Sequence, residues 1–191
     1  MRTIVLDLET KKLFHEVERG RHDKLGVSFC GIYDSEDRQL KGFFEDELAK
    51  LWPILESADL LVGFNIKKFD LPVLSAYYPG DVEKFPTFDL LDAVKESLGF
   101  RLKLDDLAKA TLGRGKTGTG LDAYRFFHQG KLEELKSYCL EDVAITRDLY
   151  FYAAQHGHVK YLDLGNVLRE IPIKVSQFLP KKSEQQMSLG V

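Results

Sequence analysis

The chain carries only 2 cysteines and 1 tryptophan in 191 residues, and it has no long apolar run. Cys30 and Cys139 each sit in an apolar stretch without a C-x-x-C partner. That pattern excludes a disulfide framework, argues against a zinc site and makes a reducing cytoplasm the expected compartment. The longest apolar stretches, such as residues 60–64, fall far short of the roughly 20 residues that a membrane-spanning helix needs. Asp7 and Glu9 stand where a secretory signal would have its apolar centre, so no export signal is expected. A strong charge of one sign is also missing: the net charge is −3 at pH 7, which does not by itself advertise a polyanion partner. What is present is an ordinary globular balance of 44% hydrophobic and 30% charged residues. A chain of this size buries roughly 70% of its unfolded surface and needs no covalent staples. A single domain is expected over residues 1–175. Residues 176–191, polar and without periodicity, are expected to be a flexible tail.

The order of elements follows from periodicity. Residues 3–9 are β-branched and apolar and then abruptly acidic, as in a buried strand whose end reaches a site. Residues 10–24 lack periodicity and are expected to be a long loop. Two further strands, 27–33 and 39–44, are joined by short connections that suggest an antiparallel meander. The spacing then predicts a helix over 45–58 with Pro53 as a kink or delayed start, a strand over 60–64, and a helix over 69–78 with Pro72 in its first turn. A short strand at 85–89 leads to helices at 90–98, 105–112, 121–129 and 132–155, and 159–175 reads as a terminal hairpin. The loop 114–120 between two of those helices is rich in glycine. Strands followed by helices in this order imply an α/β domain with a mixed sheet covered by helices.

Three clusters of polar residues interrupt the pattern. Asp7 and Glu9, two apart on a strand, project from one face while Leu8 enters the core. Two acids about 4 Å apart repel by on the order of 4 kcal/mol at an effective dielectric near 20, so they need a neutralising partner unless one of them faces solvent. Asp70 follows a strand and opens a helix, where it could serve as a cap. Tyr138 and Asp142 are i and i+4 on the long helix and share a face. From Arg101 to Lys131 there are seven basic and three acidic residues. This fits either a solvated face or a strip that holds phosphates beside metal-neutralised carboxylates.

Taken together, Asp7-x-Glu9, Asn65-x3-Phe69-Asp70 and Tyr138-x3-Asp142 resemble, in order, the three motifs of the DEDD superfamily of 3′–5′ exonucleases. The resemblance is to the tyrosine branch: a histidine-branch member would have histidine five positions before the last aspartate, where this chain has Ser137. It covers residues 1–155. Residues 29–34, Gly63-Phe64-Asn65 and residues 138–142 look especially like the exonuclease domain of family B DNA polymerases and its small stand-alone relatives. With no polymerase segment in view, a stand-alone enzyme is expected. The resemblance implies a ribonuclease H-like α/β fold, with an antiparallel meander plus parallel strands in one mixed central sheet flanked by helices. It implies a metal-dependent exonuclease that removes nucleoside 5′-monophosphates from the 3′ end of single-stranded DNA, using two divalent ions, Mg²⁺ or Mn²⁺. Asp7 would bridge them, Glu9 and Asp142 would complete one site, Asp70 would support the other, and Tyr138 would orient the attacking water. Thr10, Asn65 and Phe69 would contact the strand, although Phe69 could equally be core. An RNA-trimming exonuclease of the same branch is the alternative. A catalytically idle nucleic-acid-binding module is a third possibility, opposed by the presence of all four acids and Tyr138.

The remaining signals are weaker. Gly113-Arg114-Gly115-Lys116-Thr117 imitates a phosphate-binding P-loop, but the required first glycine is Ala110 and a helix rather than a strand precedes it. Arg114 and Lys116 are better taken as phosphate contacts on a flexible arm, or as a plain surface turn. Asp89 and Asp92 are expected to cap the following helix rather than to join the site. His15, His22 and His128 lack metal-ligand spacing. Gln186-Met187-Ser188-Leu189 resembles the start of peptides that dock on bacterial sliding clamps, but Gly190 and Val191 follow where such peptides continue with an aromatic residue or leucine.

Overall fold

The computed structural model describes residues 1–116 and 118–175. The expected tail and its clamp-like segment lie outside them. Strands β1 (Thr3–Thr10), β2 (Val27–Asp34) and β3 (Gln39–Phe43) form the expected antiparallel meander. Strands β4 (Leu60–Gly63) and β5 (Thr87–Asp89) add to it in parallel, giving the order β3-β2-β1-β4-β5. The alternation of β1 sends Ile4, Leu6 and Leu8 into one core with Leu51, Leu55 and Leu74, and Val5 into a second core with Val143 and Leu149. Asp7 and Glu9 continue the Val5 face. Polar groups therefore arrive where the sheet meets the long helix.

The helices are α1 (Trp52–Glu56), α2 (Asp70–Leu74), α3 (Leu90–Leu98), α4 (Leu104–Leu112), α5 (Gly120–His128) and α6 (Leu132–His156). The helix expected over 45–58 is split into a 3₁₀ segment, Glu45–Lys50, and α1. Pro53 has no N–H to donate, so it is accommodated only in a fresh first turn. Helix α2 is shorter than the spacing suggested. The Ser75 hydroxyl donates to the Pro72 carbonyl at 2.7 Å, and the chain leaves the helix as turns. The loop over 10–24 contains two 3₁₀ turns, and the terminal hairpin is β6 (His158–Leu162) with β7 (Leu168–Pro172). Val159 and Ile171 bury that hairpin against the core shared by α4 and α6. Cys30 and Cys139 are both buried free thiols. Among the described residues no helix is long and apolar enough to cross a membrane.

One contact sets the depth of α6. Gly31 on β2 pairs with Asp7 on β1, and α6 packs directly over it. A methyl added at Gly31 would lie 3.1 Å from Cys139 Sγ, from a Leu140 methyl and from a Val143 methyl. All three belong to the turn of α6 that carries Tyr138 and Asp142. The absence of a side chain at Gly31 therefore lets that turn descend onto the end of β1. Gly31→Ala should lower unfolding free energy by about 1–3 kcal/mol, the usual cost of overpacking. Urea denaturation that leaves stability unchanged would show that the helix has room to spare.

Candidate active site

The carboxyl ends of β1, β4 and β5 lie side by side, the position at which open α/β sheets present their crevice. A cleft of about 540 Å³ opens there, lined by Asp7, Glu9, Asp70, Tyr138 and Asp142. Carboxylate oxygens of Asp7, Glu9 and Asp142 all lie within 4.8 Å of one another. The ladder between β1 and β2 shifts register between Glu9 and Thr10, a kink at the point where the strand leaves the sheet. Asp70 lines the same cleft but stands outside that trio, and its Oδ1 accepts the Leu8 N–H at 3.0 Å. A residue at the first position of α2 is thus tied to the strand that carries Asp7 and Glu9.

Burial and mutual repulsion govern the electrostatics. Burial, with the Asp142 charge added, pushes the Asp7 carboxyl up to about 8. Burial first and then the Asp7 and Asp142 charges push Glu9 well above the usual carboxylate range. Asp70 is raised by burial and by Asp7, and Asp142 by burial against the opposing pull of Lys116. Lys116 reaches into the cleft, pairs with Asp142 Oδ2 and lies 5.1 Å from the centre of the Tyr138 ring. Burial works against its ammonium, but Asp142 outweighs that and holds it above the ordinary lysine value. Burial and Asp142 also raise the Tyr138 hydroxyl, so at neutral pH it is a proton donor and not a base.

Two polar atoms are left over. Asp142 Oδ1 and the Tyr138 hydroxyl are buried and have no hydrogen-bond partner among the described residues. Buried oxygens of this kind are costly unless a ligand satisfies them. A donor set made of oxygen alone, with three mutually repelling carboxylates, fits a hard divalent cation such as Mg²⁺ or Mn²⁺ and does not suit zinc.

The residues expected to meet a strand divide into two groups. Thr10, Asn65, Phe69 and Lys116 line the cleft. The Thr10 hydroxyl donates to the Lys12 carbonyl at 2.8 Å, and Asn65 Oδ1 accepts from Arg101 at 3.0 Å. Asn65 takes a left-handed φ of 70°, held by its own N–H donating to Asp89 Oδ1 at 2.9 Å. Asp89 also accepts the Lys67 N–H and caps α3 through the N–H groups of Leu91 and Asp92, which makes it the expected cap. Phe69 is partly core and partly wall, its ring 5.5 Å from that of Phe14. Arg114, by contrast, pairs with Asp148 on α6 and is not in the cleft wall. Phe14, largely exposed on the rim, is a cleft residue that sequence reasoning missed, because nothing periodic in 10–24 singles it out. The inward course of Lys116 was missed too; a glycine-rich loop has no pattern from which a direction can be read.

A family model for RNase_H_2, of the RNase_H superfamily, matches residues 4–154. Among solved structures, the family B DNA polymerase from the hyperthermophilic archaeon Pyrobaculum calidifontis matches 80% of this chain and 24% of its own, at 18% identity and a TM-score of 0.60. RNase D of Trypanosoma brucei matches 78% of this chain and 56% of its own, at 15% identity and a TM-score of 0.57. The chain thus spans about a quarter of the first protein and little more than half of the second. At these identities the likeness is one of fold, and it bears out the ribonuclease H-like architecture expected from the motifs. No curated protein matches the chain by sequence.

Lys116 occupies Asp142 Oδ2, so a cation held by Asp142 would have to contend with it. Lys116→Met, which keeps length and removes charge, should tighten Mn²⁺ binding by about tenfold in titration calorimetry, while lowering the melting temperature of the metal-free protein. Unaltered or weaker Mn²⁺ binding would mean that the ammonium does not contend for the site.

Proposed function

Because the chain belongs to the RNase H superfamily, we propose that it is a metal-dependent 3′–5′ exonuclease acting on single-stranded nucleic acid, with DNA preferred over RNA. The observation that carries this assignment is the convergence of Asp7, Glu9 and Asp142 within 4.8 Å, with the Tyr138 hydroxyl in the same cleft. Asp7 would be shared between two cation positions, one completed by Glu9 and Asp142 and the other supported by Asp70. Divalent ions held there would supply positive charge against the phosphate and the leaving 3′ oxygen and would lower the pKa of the attacking water. Tyr138, kept protonated by its burial, would hold that water through its hydroxyl. Asn65 and Thr10 offer hydrogen bonds to the terminal nucleotide, and the Phe14–Phe69 pair offers an apolar wall to its base. The exonuclease domain would occupy residues 1–175.

Labelled single-stranded DNA and RNA, incubated with Mg²⁺ or Mn²⁺ and with EDTA controls, test the assignment. Mononucleotides should accumulate from the 3′ end only when metal is present, and faster from DNA. Asp7→Ala should remove the activity without unfolding the protein, since it deletes a ligand and not core surface. Substantial hydrolysis by that variant would sink the site assignment. Tyr138→Phe should lose most of the rate and keep strand affinity, because only one hydroxyl disappears.

A linkage effect follows from the raised carboxyls. A carboxyl whose folded pKa exceeds its unfolded value stabilises the fold below about pH 4, and that contribution is lost as pH rises through the folded value. For Asp7 the window closes at about 8. The metal-free protein should therefore lose stability between pH 6 and 8.5, while Mg²⁺, which binds the ionised form, should stabilise it more at the higher pH. A rise in melting temperature of about 5 °C or more at saturating Mg²⁺ is expected at pH 8.5, and a smaller one at pH 6. The reverse order would contradict the link between these carboxyls and the cation.

A further inference from the structure

Beside the carboxylate cleft lies a second hollow of about 400 Å³, walled by Phe100, Tyr161, Leu162 and Leu164. Leu102 lines both hollows, so the second begins where the first ends. Its outer wall is the turn that joins β6 to β7. Leu162, Leu164, Val167 and Leu168 are exposed there, Leu164 completely. This apolar display is held in place by polar bonds. Asp163 Oδ1 accepts the N–H groups of Gly165 and Val167, both at 2.9 Å, and Asp163 Oδ2 accepts from Arg169 Nε at 2.8 Å. Asn166 completes the turn in a left-handed conformation, φ 57°. Opposite the turn, Phe100 is 48% exposed and meets Tyr161 edge-on, with ring centres 6.2 Å apart.

Among the described residues the only charged one in the lining of the hollow is Asp163, which Arg169 pairs, and the cleft wall beside Leu102 is basic. Arg101 and Lys103 line the cleft on either side of Leu102, and neither forms an ion pair among the described residues. Exposed aromatic and apolar groups next to unpaired cations match the two halves of a single strand, bases and phosphates. A purely apolar protein partner would leave those cations without complement.

We infer that the Phe100 hollow is a nucleobase subsite for the upstream part of the strand. Bases that follow the terminal nucleotide pass over Leu102 and stack on Phe100 and the Leu164 turn, with their phosphates against Arg101 and Lys103. This subsite rests on the exonuclease activity proposed above and extends it to substrate length: strands long enough to reach the hairpin bind better than short ones.

Steady-state hydrolysis of a trinucleotide and of an oligonucleotide of about twelve residues, with Mn²⁺, provides the test. The wild-type KM should be clearly lower for the longer strand. Phe100→Ala and Leu164→Ser alter exposed side chains, and thermal unfolding establishes that each variant is folded. Phe100→Ala should reduce the ratio of trinucleotide to long-strand KM by about tenfold, the scale of one lost stacking contact, and Leu164→Ser should reduce it in the same direction by less. A ratio near one in the wild type, or one unchanged in both variants, overturns the subsite and leaves the nuclease intact. So does a rise in KM that is equal for both lengths. A wild-type protein that hydrolyses neither strand defeats the exonuclease assignment, and the subsite with it. Sedimentation that shows a dimer dissociated by Leu164→Ser would reassign the hollow to a second copy of the chain.

Discussion

The approach of α6 to the end of β1, made possible by the bare backbone of Gly31, is the contact on which the site depends. The strand supplies Asp7 and Glu9, the helix supplies Tyr138 and Asp142, and only their separation decides whether the oxygens converge. Protein interiors are packed densely enough that one extra methyl between the layers would be felt at the carboxylates. Alternation along β1 acts in the same sense. The residues on one face hold the second layer of helices, and those on the other pass from Val5 to the acids without a change of side.

That convergence works against stability. Close carboxylates repel by several kcal/mol at intermediate dielectric, a sizeable part of the 5–15 kcal/mol that separates folded from unfolded chains. The chain answers with local compensation: the Leu8 N–H on Asp70, the Lys116 ammonium on Asp142, and protonation of Asp7 over much of the neutral range. The Lys116 ammonium and the Asp7 proton are the two of these that an arriving cation would replace. Asp142 Oδ1 and the Tyr138 hydroxyl remain without partners among the described residues, as expected of groups whose ligand comes from outside.

Much of this was legible in the sequence because it is carried by short-range patterns. A β-branched, apolar run that turns acidic marks β1, the i, i+4 spacing places Tyr138 with Asp142, and the resemblance carried by three motifs in order implies the architecture. What escaped depends on tertiary neighbours. Helix spacing over 45–58 leaves Pro53 as a kink or a delayed start, and the structure selects the delayed start. Nothing around Gly31 announces a helix above it. Lys116 and Arg114 are two residues apart in the same loop, yet one enters the cleft and the other pairs with Asp148. The outward leucines of the β6–β7 turn look in sequence like any hairpin, and their meaning comes from Leu102 being shared with the cleft.

Asp89 holds the connection after β4 and the start of α3 through four bonds, every one of them to a backbone N–H. No substitution at Asn65, Lys67, Leu91 or Asp92, other than by proline, deletes the donor that each contributes. The hydrogen bonding of this corner is thereby insulated from the identity of the side chains displayed on it. Mutation can explore different groups at Lys67 while the turn persists, whereas the left-handed φ of 70° restricts Asn65 to asparagine, aspartate or glycine at little cost. Sequence drift can retune what the rim recognises without redesigning the rim, at the cost of concentrating the fragility of the whole corner in a single carboxylate.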